Sequence, residues 1–125
     1  MTRKPVRDQA LFALYAADIS GSDPDTSGLS ARARRYVEGT WSQIAELDAE
    51  ISAVASGWRL ERMPAVDRNI IRLALYEVRS AQTPVGVALS EAVNLAKVFS
   101  TERSGAFVNG VLARLVDGER ARKPV

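Results

Sequence analysis

Cysteine and histidine are both absent from the 125 residues. Without cysteine there is no disulfide framework and no thiolate nucleophile. Without histidine there is no imidazole base, and the usual zinc ligand sets are gone as well. Long apolar runs are missing too, since none approaches the ~18–20 residues that cross a bilayer. The N-terminal Met1-Thr-Arg-Lys-Pro5 has charge but no following apolar segment with a cleavage site, so no secretory signal is expected and the expected address is the cytoplasm. Lysine is scarce. Lys4, Lys97 and Lys123 are three of 17 basic residues, and the other fourteen are arginine.

The rest of the composition is that of a soluble globular chain, 46% apolar and 26% charged, with enough length for one domain and a core that needs no staples. Net charge is +2, and the sequence pI of about 9.3 points mildly to a polyanionic partner. Arginine suits one, because its planar fork binds phosphate bidentately and stacks on bases. A GC-rich genome would give the same composition for no functional reason.

The periodicity is helical almost throughout. In residues 5–20, Pro5 suits a first turn, and Phe12, Tyr15, Ala16 and Ile19 fall at i, i+3, i+4, i+7. The segment 21–28 is dense in breakers, and helix resumes near Ser30. Val37, Trp41, Ile44, Ile51 and Trp58 keep a roughly heptad beat with Leu47 and Val54 beside it, and Gly39 is the expected break into two helices. Further helices are expected at 64–81 (stripe Ile71, Ala74, Leu75, Val78), at 85–99 (Ala88, Ala92, Leu95, Phe99) and from an N-cap at Ser104 (Val108, Val111, Leu112, Leu115). No segment alternates with period two between turns. The expected fold is all-α, a compact bundle of about five to seven short helices. It forms a single domain over 1–125, with a basic arm at 1–7 and a frayed basic tail at 118–125.

Catalysis has little to stand on. Asp23 and Asp25 share a loop; Asp48 and Glu50 are two apart on a helix and point to different faces. The hydroxyls lack an imidazole, and Lys97 would need burial to act as a base. Helix 64–81 says more. Arg68, Arg72 and Arg79 fall within a narrow arc with Asn69 and Tyr76 beside it, which is either a phosphate-and-base surface or a solvated face that uses arginine. Asp67 and Glu77 project into the apolar arc. Asp67 is favoured by the helix dipole, and a buried Glu77 should pair with an arginine from another helix. Arg3, Lys4 and Arg7 make a short basic arm, which fits either a nucleic-acid contact or a merely soluble end. Gly110 and Asn109 read first as packing residues.

The order of segments resembles a known family. Arg7-Asp-Gln-Ala-Leu-Phe-Ala-Leu-Tyr15-Ala-Ala-Asp18 is similar to R-x-x-A-x-x-A-L-Y-x-x-[DE]. Val66-Asp-Arg-Asn-Ile-Ile-Arg-Leu-Ala-Leu-Tyr-Glu-Val78 resembles V-[DE]-[RK]-x-[IV]-L-R-[IL]-A-x-[YW]-E-L. Val87-Ala-Leu-Ser-Glu-Ala-Val-Asn-Leu-Ala-Lys-Val-Phe99 is similar to V-[AV]-I-[ND]-E-A-[VI]-x-L-[AS]-K-x-[FY], and Ser104-Gly-Ala-Phe-Val-Asn-Gly-Val-Leu112 to S-x-x-F-V-N-G-[VI]-L. The family is NusB, the bacterial transcription antitermination factors, and the likeness runs from about residue 7 to 112.

The resemblance implies two small helical sub-bundles, binding to boxA-type single-stranded RNA of ribosomal leader transcripts, and pairing with NusE, a small-subunit ribosomal protein. It also implies a place in the RNA polymerase antitermination complex, with no catalytic activity, no cofactor and no membrane partner. By position it puts Arg3, Lys4, Arg7, Tyr15, Arg72, Phe99 and Phe107 at or near RNA, and Glu61 and Asp67 towards NusE. Arg103 stands where relatives commonly carry an acid, and is expected to add a phosphate contact. The arm is thinner than is usual in the family, and loop 21–28 is short. Two alternatives remain: a NusB-like interaction module with weak or no RNA binding, and a detached RNA-targeting domain of the kind fused to ribosomal RNA methyltransferases.

Overall fold

Prolines stand directly before three of the helices. In the computed structural model, which describes residues 4–55 and 59–122 and side chains as far as residue 117, Pro5, Pro64 and Pro84 precede α1 (Val6–Ser20), α4 (Ala65–Ser80) and α5 (Val85–Phe99). Each has φ near −54°, and each carbonyl accepts the first helical hydrogen bond, from Gln9, Arg68 and Ala88 respectively. Proline suits this place because φ is preset and no N–H is missed. α2 (Ala31–Ser42) begins at Ser30, whose side chain accepts from the Ala33 N–H.

The second break differs from the expected one. α2 runs through Gly39 and ends at Ser42, and α3 (Ile44–Val54) follows after Gln43 alone. Gly39 serves a close approach instead, since a Cβ there would lie 2.3 Å from the Tyr76 ring of α4. A 3-10 turn spans Leu60–Arg62. α6 (Glu102–Arg122) starts two residues before the expected N-cap, and its helical backbone continues past Gly118, where the frayed tail was expected to begin. Thr101 takes the capping role, its hydroxyl accepting from the Ser104 N–H, while the Ser104 side chain turns to Asp67.

Six α-helices and no strand appear among the described residues. They form two apolar clusters. One joins α3 to α6, with Leu47, Ile51, Ile70, Ile71, Leu75 and Leu112 at its centre. The smaller one packs Ala10, Ala13 and Leu14 of α1 against Tyr36 and Val37 of α2. α4 is central to both, contributing Leu73 to the smaller cluster and Ile70, Ile71, Ala74 and Leu75 to the larger. It therefore has little solvated face, and its buried residues include Asp67, Asn69, Arg72 and Glu77.

Two expected packing residues lie elsewhere. Gly110 and Asn109 are exposed, and a Cβ at Gly110 would meet nothing within 4 Å. On α1 the expected apolar stripe is the one turned outward. Ala10, Leu11, Ala13, Leu14 and Ala17 are buried, whereas Phe12, Tyr15 and Ile19 are 37%, 39% and 62% exposed.

Candidate nucleic-acid interface

The outward side of α1 is built from apolar residues that the core does not use. Phe12 stands edge-on to Phe99 at the end of α5, with ring centroids 4.9 Å apart and planes at 80°. The Lys4 ammonium lies 4.7 Å from the Phe12 centroid, a cation–π contact that holds a charge against an exposed ring. Tyr15 is three residues further along the same helix, hence on the same side. Lys4, Gln9, Phe12, Asp25 and Leu29 line an open cleft of about 420 Å³ beside this face. The structure thus brings Lys4 and Phe99 together through Phe12, which the periodicity had placed in an inward stripe. The signal that could have found Phe12 is its position in α1, three residues before Tyr15.

A second cleft, of about 260 Å³, lies where α4, the α5–α6 turn and α6 meet, and is lined by Pro64, Asp67, Thr101, Arg103, Ser104 and Phe107. Arg103 is exposed and Phe107 half-buried. Asp67 forms the floor, only 2% exposed. Its two carboxylate oxygens accept from the Ser100 hydroxyl at 2.6 Å and the Ser104 hydroxyl at 2.8 Å. Glu61 is exposed on the 3-10 turn, 4.0 Å from Arg59.

The arginines of the expected stripe point inward. Arg72 is 7% exposed. Its Nε and Nη2 donate to Asp48 at 2.7 and 2.8 Å, and its Nη1 donates to Asp18 and Asn69. Arg68 pairs with Asp18 at 2.7 Å and donates to the Leu60 and Met63 carbonyls, which ties the 3-10 turn to α4. Arg79 makes a two-pronged pair with Glu50. The stripe is therefore neither a phosphate surface nor a solvated face. It is a seam of ion pairs, and the reason is α4's central position. Arg72, expected at RNA, has four of its five N–H groups occupied inside the fold.

Burial works to raise the Asp18 pKa, but hydrogen bonds from Arg68 and Asn69 and the charges of Arg68 and Arg72 outweigh it, so Asp18 titrates below its ordinary value. Arg7 behaves likewise. Its Nε and Nη2 clamp Glu77, the shortest contact being 2.7 Å, and the Thr83 hydroxyl donates to the same carboxylate. This hydrogen bonding raises the Arg7 pKa against the opposing pull of burial. Glu77 thus has the inter-helix arginine expected for it, and that arginine is one of the three assigned to the arm. Arg3 lies outside the described residues, so Lys4 is the arm's described outward cation.

One cationic group went unnoticed in the sequence. Arg32, Arg34 and Arg35 are all exposed on α2. The signal was present as Arg32-Ala-Arg-Arg35 with no acid before Glu38. Among the described residues no group of acidic or sulfur side chains could hold a metal ion, and no helix is long and apolar enough to cross a membrane.

The comparisons with known proteins converge. A model of the NusB family matches residues 4–117. The transcription antitermination protein NusB of Symbiobacterium thermophilum is 44% identical, over 94% of this chain and 91% of its own. A solved NusB from T. maritima has a TM-score of 0.80 at 32% identity, covering 93% of each chain. A crystal structure of the antitermination factors NusB and NusE in complex with dsRNA matches with a TM-score of 0.79 at 27% identity, over 90% of this chain and 94% of that one. The motifs, the two helical clusters joined through α4 and these matches have one reading: the chain belongs to the NusB family of transcription antitermination proteins.

Proposed function

We propose that this chain binds boxA-type RNA together with a NusE-type ribosomal protein, as part of the RNA polymerase antitermination complex in the cytoplasm, and that it acts by binding rather than by catalysis. The observation that carries this is the face formed by Lys4, Phe12, Tyr15 and Phe99. The Phe12 and Tyr15 rings remain exposed although the core beneath is complete, Phe99 is half-buried behind Phe12, and a cation is held against Phe12. Exposed aromatics beside cations are what unstacked bases and phosphates need. The matched NusB–NusE complex with dsRNA supports the same reading.

Within it, Lys4, Tyr15, Phe99, Arg103 and Phe107 are the proposed contacts, with Arg3 extending the arm. Arg7 and Arg72 serve the fold beneath these contacts, because Arg7 fixes the start of α1 to α4 and Arg72 braces α4 against α1 and α3. Glu61 is the proposed acid towards the partner. Asp67 shapes that region from beneath, through Ser100 and Ser104.

The test is fluorescence anisotropy with a boxA-type RNA and a scrambled control, with and without NusE, at two salt concentrations. Sequence-dependent binding that tightens with NusE is expected, and Tyr15→Ala should weaken it by about 1–3 kcal/mol, the usual cost of removing one base-stacking platform. Binding to NusE with equal affinity for both RNAs would leave a protein-interaction module instead.

A further inference from the structure

We propose that Arg32, Arg34 and Arg35 of α2 form a second RNA-backbone track that continues the N-terminal arm and engages nucleotides flanking the boxA element. The inference rests on the RNA reading above and extends it to residues outside the family motifs.

Three observations carry it. First, these arginines are exposed and, among the described residues, none makes an ion pair, unlike the three on α4. Glu38 is the sole acid on α2, and it forms no ion pair with them. Second, the fold leaves two of the three charges unused. Arg32 is in the first turn of α2, where positive charge opposes the macrodipole and no acid offsets it, but Tyr36 holds it. Arg34 and Arg35 lie beyond that turn, and among the described residues no ion pair or side-chain hydrogen bond holds their guanidinium groups. Third, α2 is joined to the arm. The Gln9 side chain donates to the Lys4 carbonyl at 2.6 Å and accepts from the Ser30 N–H, the N-cap of α2, at 3.0 Å. One glutamine therefore ties the arm's main chain at Lys4 to the start of the arginine helix, and the cleft beside Phe12 is lined by Gly28 and Leu29, just before that start. Asp25 borders that cleft, its carboxylate already accepting from the Ser27 N–H and hydroxyl.

Arg32 and Arg35 are three apart and share a ridge, with Arg34 flanking it. Arg32 lies over the Tyr36 ring and donates to its hydroxyl at 3.1 Å, so its guanidinium is preorganised rather than freely waving. The other two extend into solvent. Arginine in this setting fits phosphate oxygens in a row. It reads backbone rather than base edges, so the track adds affinity and salt dependence without adding sequence preference.

The experiment compares the wild-type chain with the double variant Arg34→Gln/Arg35→Gln, which leaves Arg32 and its packing in place. Binding is measured against salt for the boxA element and a scrambled element, each alone and with unstructured tails on both ends, and NusE affinity is measured in parallel. On the tailed RNA the log–log salt slope of the variant should be smaller by about 1.4, two phosphate contacts at the single-strand value. On the short RNA the two proteins should coincide. Equal slopes on the tailed RNA overturn the track while leaving boxA binding intact. A loss in NusE affinity with unchanged RNA slopes also overturns it, and makes α2 a protein contact. If the wild type fails to tell boxA from scrambled RNA yet the tail-dependent slope is still lost in the variant, the boxA reading falls and the track stands. No binding to either RNA removes both.

Discussion

Helices α2 and α4 each carry three arginines, and the fold uses them in opposite ways. On α4, Arg68, Arg72 and Arg79 each meet a carboxylate from another helix: Asp18 from α1, and Asp48 and Glu50 from α3. On α2, Arg32, Arg34 and Arg35 are exposed and none meets a carboxylate, although Arg32 leans on Tyr36 of its own helix. The residue type is the same, so location makes the difference. A helix at the centre of a bundle cannot keep a cation in water, and its arginines must be paired and hydrogen-bonded or the fold fails. A helix at the edge can leave them open. Arginine count alone therefore says nothing about RNA, whereas the presence or absence of an internal partner does.

The sharpest way to break the comparison is Arg72→Ala. It leaves Asp48 and Asp18 facing each other's charge across a partly buried gap, and should cost about 3 kcal/mol in urea-induced unfolding, as removal of one member of a buried pair does. RNA affinity of the folded fraction should not change. A stability loss under about 0.5 kcal/mol, the range of ordinary surface substitutions, would mean that the seam is solvated. A fall in RNA affinity beyond the unfolded fraction would move Arg72 back to the RNA face.

The same contrast explains which features the sequence disclosed. Pro5, Pro64 and Pro84 announce three helix starts, because proline acts through its own backbone and needs no tertiary context. Glu77's need for an arginine was legible from its place in an apolar arc. The identity of that arginine, Arg7, was not, because pairing 70 residues apart depends on how α1 lies against α4. The orientation of the Arg68–Arg72–Arg79 arc was misread for a similar reason. Periodicity sorts residues into an inside and an outside, and α4 has almost no outside. On α1 two interleaved stripes fit the same period, and the small one, Ala10, Ala13, Leu14 and Ala17, won the core because it lets helices approach closely. The larger stripe was left outward, and it became the candidate site.

α2 and α4 touch where Gly39 meets Tyr76, and that contact can be tested next. Gly39→Ala puts a Cβ 2.3 Å from the Tyr76 ring, a clash that should cost about 1–3 kcal/mol. Tyr76→Leu in the same chain should recover part of that loss, and strictly additive effects would show that the helices separate freely. A smaller effect separates the seam from the edge by pH. The folded-state pKa of Asp18 is depressed, so its contribution is complete above the unfolded carboxylate value of about 3.9 and is lost as pH falls through the lower folded value. Urea midpoints should drop across that acid window, and the drop should be shallower in Asp18→Asn. Parallel curves for the two proteins would remove Asp18 from the account of acid stability.

The smallest effect belongs to the edge. Arg34 sits near the start of α2, exposed and without an ion pair. Replacing it by glutamine keeps much of the stem, removes a charge that no group of the fold holds, and should leave stability within about 0.5 kcal/mol. Measured beside Arg72→Ala, this gives a several-fold difference in size between two arginines of one small chain. A loss of more than about 1 kcal/mol, outside the range of ordinary surface substitutions, would mean that Arg34 has a structural partner in solution. It would also remove the argument that the fold leaves this charge unused. No change means that the fold does not need the charge, and the salt dependence of RNA binding then decides whether a polyanion uses it.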